Sequence, residues 1–155
     1  MAVSLPIMIM TGFYILVLLL IILVDVKRRR VLNIVALPAT ATAIFFSLSQ
    51  GTQAFYLTVL GAVIGYLFFY ILYWLGARLY GPGALGFGDV KLAMLLGAML
   101  GLQQIMFALA LGLLLAGLAA GVLLFASQHC HRRSKLPYGA FLAAAGIFTL
   151  IWNVI

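Results

Sequence analysis

The sequence predicts an all-α, polytopic membrane helix bundle of about six transmembrane helices, one domain spanning residues 1–155. Three observations carry this. The chain is 67% hydrophobic with only 7% charged residues, and its mean hydropathy of +1.29 exceeds what one soluble core of this size buries. Its apolar residues come in runs of about 20, the length a helix needs to cross roughly 30 Å of hydrocarbon. Its nine Lys and Arg lie in or beside the breaks between runs, where membrane topology accounts for the net charge of +7. The lipid bilayer is therefore the expected partner of the basic residues, and nucleic acid is not.

The first run extends from about Leu5 to Val24. No basic residue precedes it and no Ala-x-Ala cleavage signal follows, so it reads as an anchor and not as a removable signal peptide. Asp25-Val26-Lys27-Arg28-Arg29-Arg30 then forms a charged break, held cytoplasmic by the positive-inside rule, which puts the N-terminus outside. A second run from about Val31 to Ser49 leads to the uncharged turn Gln50-Gly51-Thr52-Gln53, and a third from about Ala54 to Ala77 returns to a cytoplasmic end at Arg78. Residues 80–88, Tyr-Gly-Pro-Gly-Ala-Leu-Gly-Phe-Gly, predict a loop or unwound segment. The fourth run, from Asp89 to Gly101, covers roughly 13 residues and about 20 Å as helix, so before Leu102-Gln103-Gln104 the fourth helix is expected to be short or to begin below the membrane surface. A fifth run goes from about Ile105 to Ala126. A polar segment from Ser127 to Lys135 separates it from a sixth, which begins near Leu136 and ends at Ile155. This arrangement gathers every basic residue on one side of the membrane. Gly61 and Gly65, Gly97 and Gly101, and Gly117 and Gly121 fit close helix packing through small residues.

Only two carboxylates occur in the chain, Asp25 and Asp89. The topology places them at similar depth, one ending the first helix and the other opening the fourth. Two carboxylates brought close cannot both ionise cheaply, so the pair retains a proton near neutral pH. One member can then take a proton from water while the other polarises a carbonyl, a division of labour that needs no metal and no cofactor. Read singly, Asp25 balances the arginines and Asp89 caps a helix. The tie is broken by Gly86-Phe87-Gly88 directly before Asp89. Glycines let backbone approach closely, and a bare Gly-x-Gly strand could hold an unwound substrate segment beside the acid.

Together these residues make the chain resemble the prepilin peptidases, or type IV leader peptidases, within the wider class of Gly-x-Gly-Asp intramembrane aspartyl proteases. The resemblance rests on Asp25 followed by Asn33, on Gly86-Phe87-Gly88-Asp89-Val90-Lys91-Leu92 with Gly97 and Gly101 behind it, and on Leu136-Pro137-Tyr138-Gly139-Ala140-Phe141-Leu142. It implies that Asp25 and Asp89 are the catalytic dyad of an endopeptidase at the cytoplasmic face of a bacterial inner membrane. The implied substrate is a pilin-like precursor with a short basic leader and a hydrophobic helix. Gly86, Phe87, Gly88, Lys91, Pro137, Tyr138 and Gly139 become candidate substrate contacts. The chain departs from the family in lacking the cysteine-rich cytoplasmic insertion of the longer members, so it reads as a short form. Leu32 and Ala140 stand where proline is common. The longer members also methylate the new N-terminus with S-adenosylmethionine. That cofactor is expected here only where methylation is retained, and no independent sequence signal points to it.

The remaining polar features have plain readings. Lys27 to Arg30 suit stop-transfer and lipid head groups. Lys91 could equally influence Asp89, meet substrate or snorkel. His129-Cys130-His131 reads as a solvated loop, since Arg132 and Arg133 disfavour a cation, and the lone Cys130 has no internal disulfide partner. A polar opening lined by the loops at 25–33, 80–89 and 128–139 would admit water. Two competing functions fit the same acids. A proton-coupled transporter would need relay groups in the outward half, which has few, and a non-catalytic secretion-assembly subunit would tolerate loss of both.

Overall fold

The computed structural model describes residues 5–28, 33–81, 85–126 and 138–154. They form five α-helices: α1 (Leu5–Arg28), α2 (Asn33–Ser49), α3 (Thr52–Tyr80), α4 (Phe87–Ala126) and α5 (Tyr138–Val154). In hydrocarbon the backbone must satisfy its own hydrogen bonds, which leaves helix as the state open to such apolar segments. The element α1 continues through Asp25 to Arg28, past the expected boundary at Val24. Hydropathy marks where the chain meets water, but Lys and Arg are good helix formers and do not end the helix there. The helix α3 is bracketed by Gly51 at φ 110 and Gly81 at φ 90, both in the left-handed region that favours glycine.

The boundary expected between the fourth and fifth runs, at Gly101, is where the backbone leaves the helical region. The two runs meet there without an intervening loop, so that α4, counted through the break, is 40 residues long. A straight helix of that length would reach about 60 Å, twice the hydrocarbon thickness. Gly101, at φ 69 and ψ 177, breaks it in a backbone region essentially reserved for glycine. The polar Leu102-Gln103-Gln104 is helical, so the turning is done by Gly101 and not by a polar loop. Ahead of the break, Ala93, Gly97 and Gly101 lie against Gly65, Gly61 and Leu57 of α3. Beyond it, Leu113 and Ala116 border the same cavity as Phe69 and Gly76. The second half of α4 therefore runs back along α3 toward its C-terminal end.

Among the described residues, three helices are long and apolar enough to cross a membrane, over Leu5–Lys27, Thr52–Leu79 and Phe87–Val122, and two shorter apolar helices cover Val35–Ser49 and Tyr138–Asn153. Leu16, Leu20, Phe45, Leu118 and Trp152 are exposed on the outside, a surface suited to lipid. Inside, Leu18 and Ile21 of α1 belong to the same core as Val90, Leu92 and Leu96 of α4, all fully or almost fully buried. The tightest approach is between α3 and α4. A Cβ on Gly61 would run into the Gly97 carbonyl oxygen, and one on Gly97 into the Gly61 backbone. Because the obstacle is backbone, Gly97→Leu must separate the two helices. It is expected to destabilise the bundle by at least about 1–3 kcal/mol, read as a lower thermal midpoint in detergent. Gly117 and Gly121 do not share this role. A Cβ at either meets nothing within 4 Å, because that face of α4 points away from the described bundle.

Candidate active site

Asp25 stands in the last turn of α1 and Asp89 in the first turn of α4. What unites them is the start of α5. The Ala140 N–H donates to Asp25 Oδ2 at 2.8 Å. A Cβ on Gly139 would stand 2.9 Å from Asp25 Oδ2 and 3.2 Å from Asp89 Oδ1, so one oxygen of each acid lies within 3.2 Å of a single point. Glycine leaves that point empty. Both acids are enclosed, at 5% and 8% exposure. Each meets the first turn of a helix, where unpaired N–H groups and the helix dipole attract negative charge. Two carboxylates facing one gap can pass a proton to and from a group held between them.

The glycines around Asp89 behave differently from a bare strand. The Asp89 N–H donates to the Gly86 carbonyl at 3.0 Å, and this bond starts α4 so early that Phe87 and Gly88 are already helical. Only Gly86 remains outside the helix, and a Cβ there would come within 3.3 Å of Asp89 Oδ2. The extended Gly-x-Gly edge expected from sequence is thus replaced by a helix cap. Phe87 is exposed and packs edge-on to Tyr73 with ring centroids 5.7 Å apart. Lys91 Nζ lies 5.2 Å above the Phe87 ring, one helical turn on, as a cation over an aromatic face. Tyr138 is exposed at the mouth of α5 and borders the apolar cavity between α3 and α4. Pro137, the histidines and cysteine of 129–131, and most of the loops expected to line a polar opening lie outside the described residues.

One contributor was missed by sequence reasoning. Ala140 was read only as a departure from proline, yet its N–H is the donor that holds Asp25, and a proline has none to give. The signal was the third sequence block itself, since a segment brought to the depth of two acids exposes its backbone to them.

A profile of the type IV leader peptidase family matches residues 12–152. The chain is 33% identical over 130 residues to the prepilin leader peptidase/N-methyltransferase of Aeromonas hydrophila, covering 84% of this chain and 44% of that protein. It is 36% identical over 135 residues to the one from Dickeya chrysanthemi, covering 85% of this chain and 46% of that protein. To the one from Burkholderia pseudomallei (strain K96243) it is 39% identical over 98 residues, covering 61% of this chain and 30% of that protein. The chain thus spans less than half the length of these curated relatives. No solved structure matches it. The matched range takes in Asp25, Asp89 and the α5 turn between them, and with it the chain belongs to the type IV leader peptidase family.

Proposed function

We propose that this chain is a single-domain intramembrane aspartyl endopeptidase that removes the basic leader from type IV pilin-like precursors at the cytoplasmic face of a bacterial inner membrane. The observation that carries the reading is the convergence of the only two acids in the sequence on Gly139. In the reaction, one carboxylate takes a proton from a water molecule as the water oxygen bonds to the scissile carbonyl carbon. The other, protonated, gives its proton to the carbonyl oxygen. The tetrahedral intermediate then collapses as the C–N bond breaks: the departing amine takes up the proton first removed from water, and the second carboxylate takes back a proton from a hydroxyl of the intermediate as the carbonyl re-forms. Membrane burial keeps competing water out of the gap. Neither metal nor cofactor takes part in these steps.

The return of α4 at Gly101 supports a six-span topology with the N-terminus outside and the basic loops in the cytoplasm, which sets both acids at the inner leaflet. The relatives' second named activity would use S-adenosylmethionine, which carries a ribose diol, an amino-acid head group and a cationic sulfonium. The cavity that Tyr138 borders is otherwise lined by apolar residues and offers no carboxylate to the sulfonium or the diol.

The test is cleavage in proteoliposomes holding only the purified protein and a pilin-like precursor. Expected is a shortened precursor whose new N-terminus, by mass spectrometry, begins its hydrophobic helix. Intact precursor accompanied by proton flux across the vesicle would overturn the peptidase reading.

A further inference from the structure

Two hydrogen bonds tie α5 to other helices, one near each of its ends. At its start the Ala140 N–H donates to Asp25 of α1. Near its end the Asn153 side-chain oxygen accepts from Gln104 Nε2 of α4. The two bonds lie about 13 residues apart, or about 20 Å along the helix. On the proposed topology, Gln104 and Asn153 thus stand at the end of the bundle away from the acids, yet short of the far side of a roughly 30 Å hydrocarbon core. Between the two bonds, Ala143, Ala145, Gly146 and Leu150 are buried, a small and apolar face. Thr149 is buried as well, but its hydroxyl donates to Ala145 of its own helix. In lipid no hydrophobic force presses one helix onto another, and so smooth a face leaves axial slide and rotation weakly fixed. A directional bond fixes both, as a single buried polar residue fixes the register of a coiled coil.

Stability alone does not account for glutamine at this position. Its Oε1 is buried with no hydrogen-bond partner among the described residues, a penalty that leucine would not carry. What glutamine adds is the bond to α5. We propose that Gln104 and Asn153 are positioning residues for the peptidase reaction: their bond sets the slide and rotation of α5, and so holds Gly139 between Asp25 and Asp89. This rests on the peptidase reading. Acting from about 20 Å away along α5, the pair need correct only a small error, since a misplacement of about 1 Å at the reacting groups can lower the rate about 100-fold.

The test compares Gln104→Leu, Asn153→Leu, the two combined, and the exchanged pair Gln104→Asn/Asn153→Gln, each in proteoliposomes with a pilin-like precursor. Every leucine variant should lower kcat by about 10–100-fold with KM nearly unchanged. The combined leucine variant should keep the wild-type thermal midpoint, because replacing both partners by apolar groups leaves neither unpaired. The exchanged pair retains two amides and their summed length, and should recover most of the kcat. A contact that served only stability would move the midpoint and spare the kcat of the folded protein. A readout independent of cleavage uses Gly112→Cys/Ala145→Cys in a Cys130→Ala background. A Cβ on Gly112 stands 3.6 Å from the Ala145 Cβ, within the range a disulfide spans, so oxidation should link α4 to α5 readily, and more slowly once Gln104 or Asn153 is leucine. Wild-type kcat in the combined leucine variant, an exchanged pair as slow as the leucine variants, or cross-linking indifferent to the amides overturns the proposal. A wild type that cuts no precursor rejects the peptidase reading, and the cross-linking rate then still decides whether the amides set α5.

Discussion

Asp25→Asn and Asp89→Asn should each lower precursor cleavage by at least about 100-fold, since a positioned general acid or base contributes roughly 10²–10⁴. Asparagine keeps the volume of the side chain, and its carbonyl oxygen can still accept the Ala140 N–H, so the bundle should stay folded. What disappears is the ability of the pair to exchange a proton. The remaining carboxylate can take a proton from water or give one to the carbonyl oxygen, but cannot serve both ends of one reaction. The double variant should thus be no worse than either single one, as expected of residues acting as a unit. The measurement is the rate of appearance of the new N-terminus, with thermal unfolding in detergent as the control. Near-normal cleavage by either variant would remove that acid from the chemistry. A double variant far slower than both would mean that the acids act separately.

The second large effect belongs to a residue with no functional group. Gly139→Ala places a methyl group 2.9 Å from Asp25 Oδ2 and 3.2 Å from Asp89 Oδ1. The atoms displaced are the ends of side chains and not backbone, so the structure can yield at small cost in stability. The acids cannot yield without consequence, because a misplacement of about 1 Å in a reacting constellation can lower the rate about 100-fold. Gly139→Ala should therefore reduce kcat by about 10–100-fold and leave the thermal midpoint and precursor binding nearly unchanged. Gly97→Leu should do the reverse, losing stability first. A Gly139→Ala protein with normal kcat would show that the space between the acids is not where the bond is cut.

Much of this was legible in the sequence, for identifiable reasons. Hydrocarbon imposes long apolar runs, and charge imposes their breaks, so the helical class and the membrane setting could be read from composition and spacing. The scarcity of acids made Asp25 and Asp89 conspicuous. Legibility stopped where tertiary packing or a single dihedral decides. The boundary after Gly101 is legible, but nothing in Leu102-Gln103-Gln104 says that the helix resumes at once, because that depends on a φ of 69 at Gly101, which glycine permits but does not require. The helix starting at Phe87 depends on one hydrogen bond from Asp89 to Gly86, and polarity patterns do not record it. That Gly139, and not Tyr138 or Leu142, falls between the acids is a matter of how α5 is rotated against α1 and α4. A one-dimensional reading could place α5 at the right depth without its rotation.

The wedge formed by the first turn of α5 also bears on how such an enzyme is made safely. Asp25 and Asp89 emerge early and midway in synthesis, on helices that can enter the bilayer independently, while the residues that bridge them come after both. Until α5 is in place, the two acids lack the backbone donor at Ala140 and the gap at Gly139. On the proposed peptidase reading, hydrolysis would therefore begin only with completed assembly.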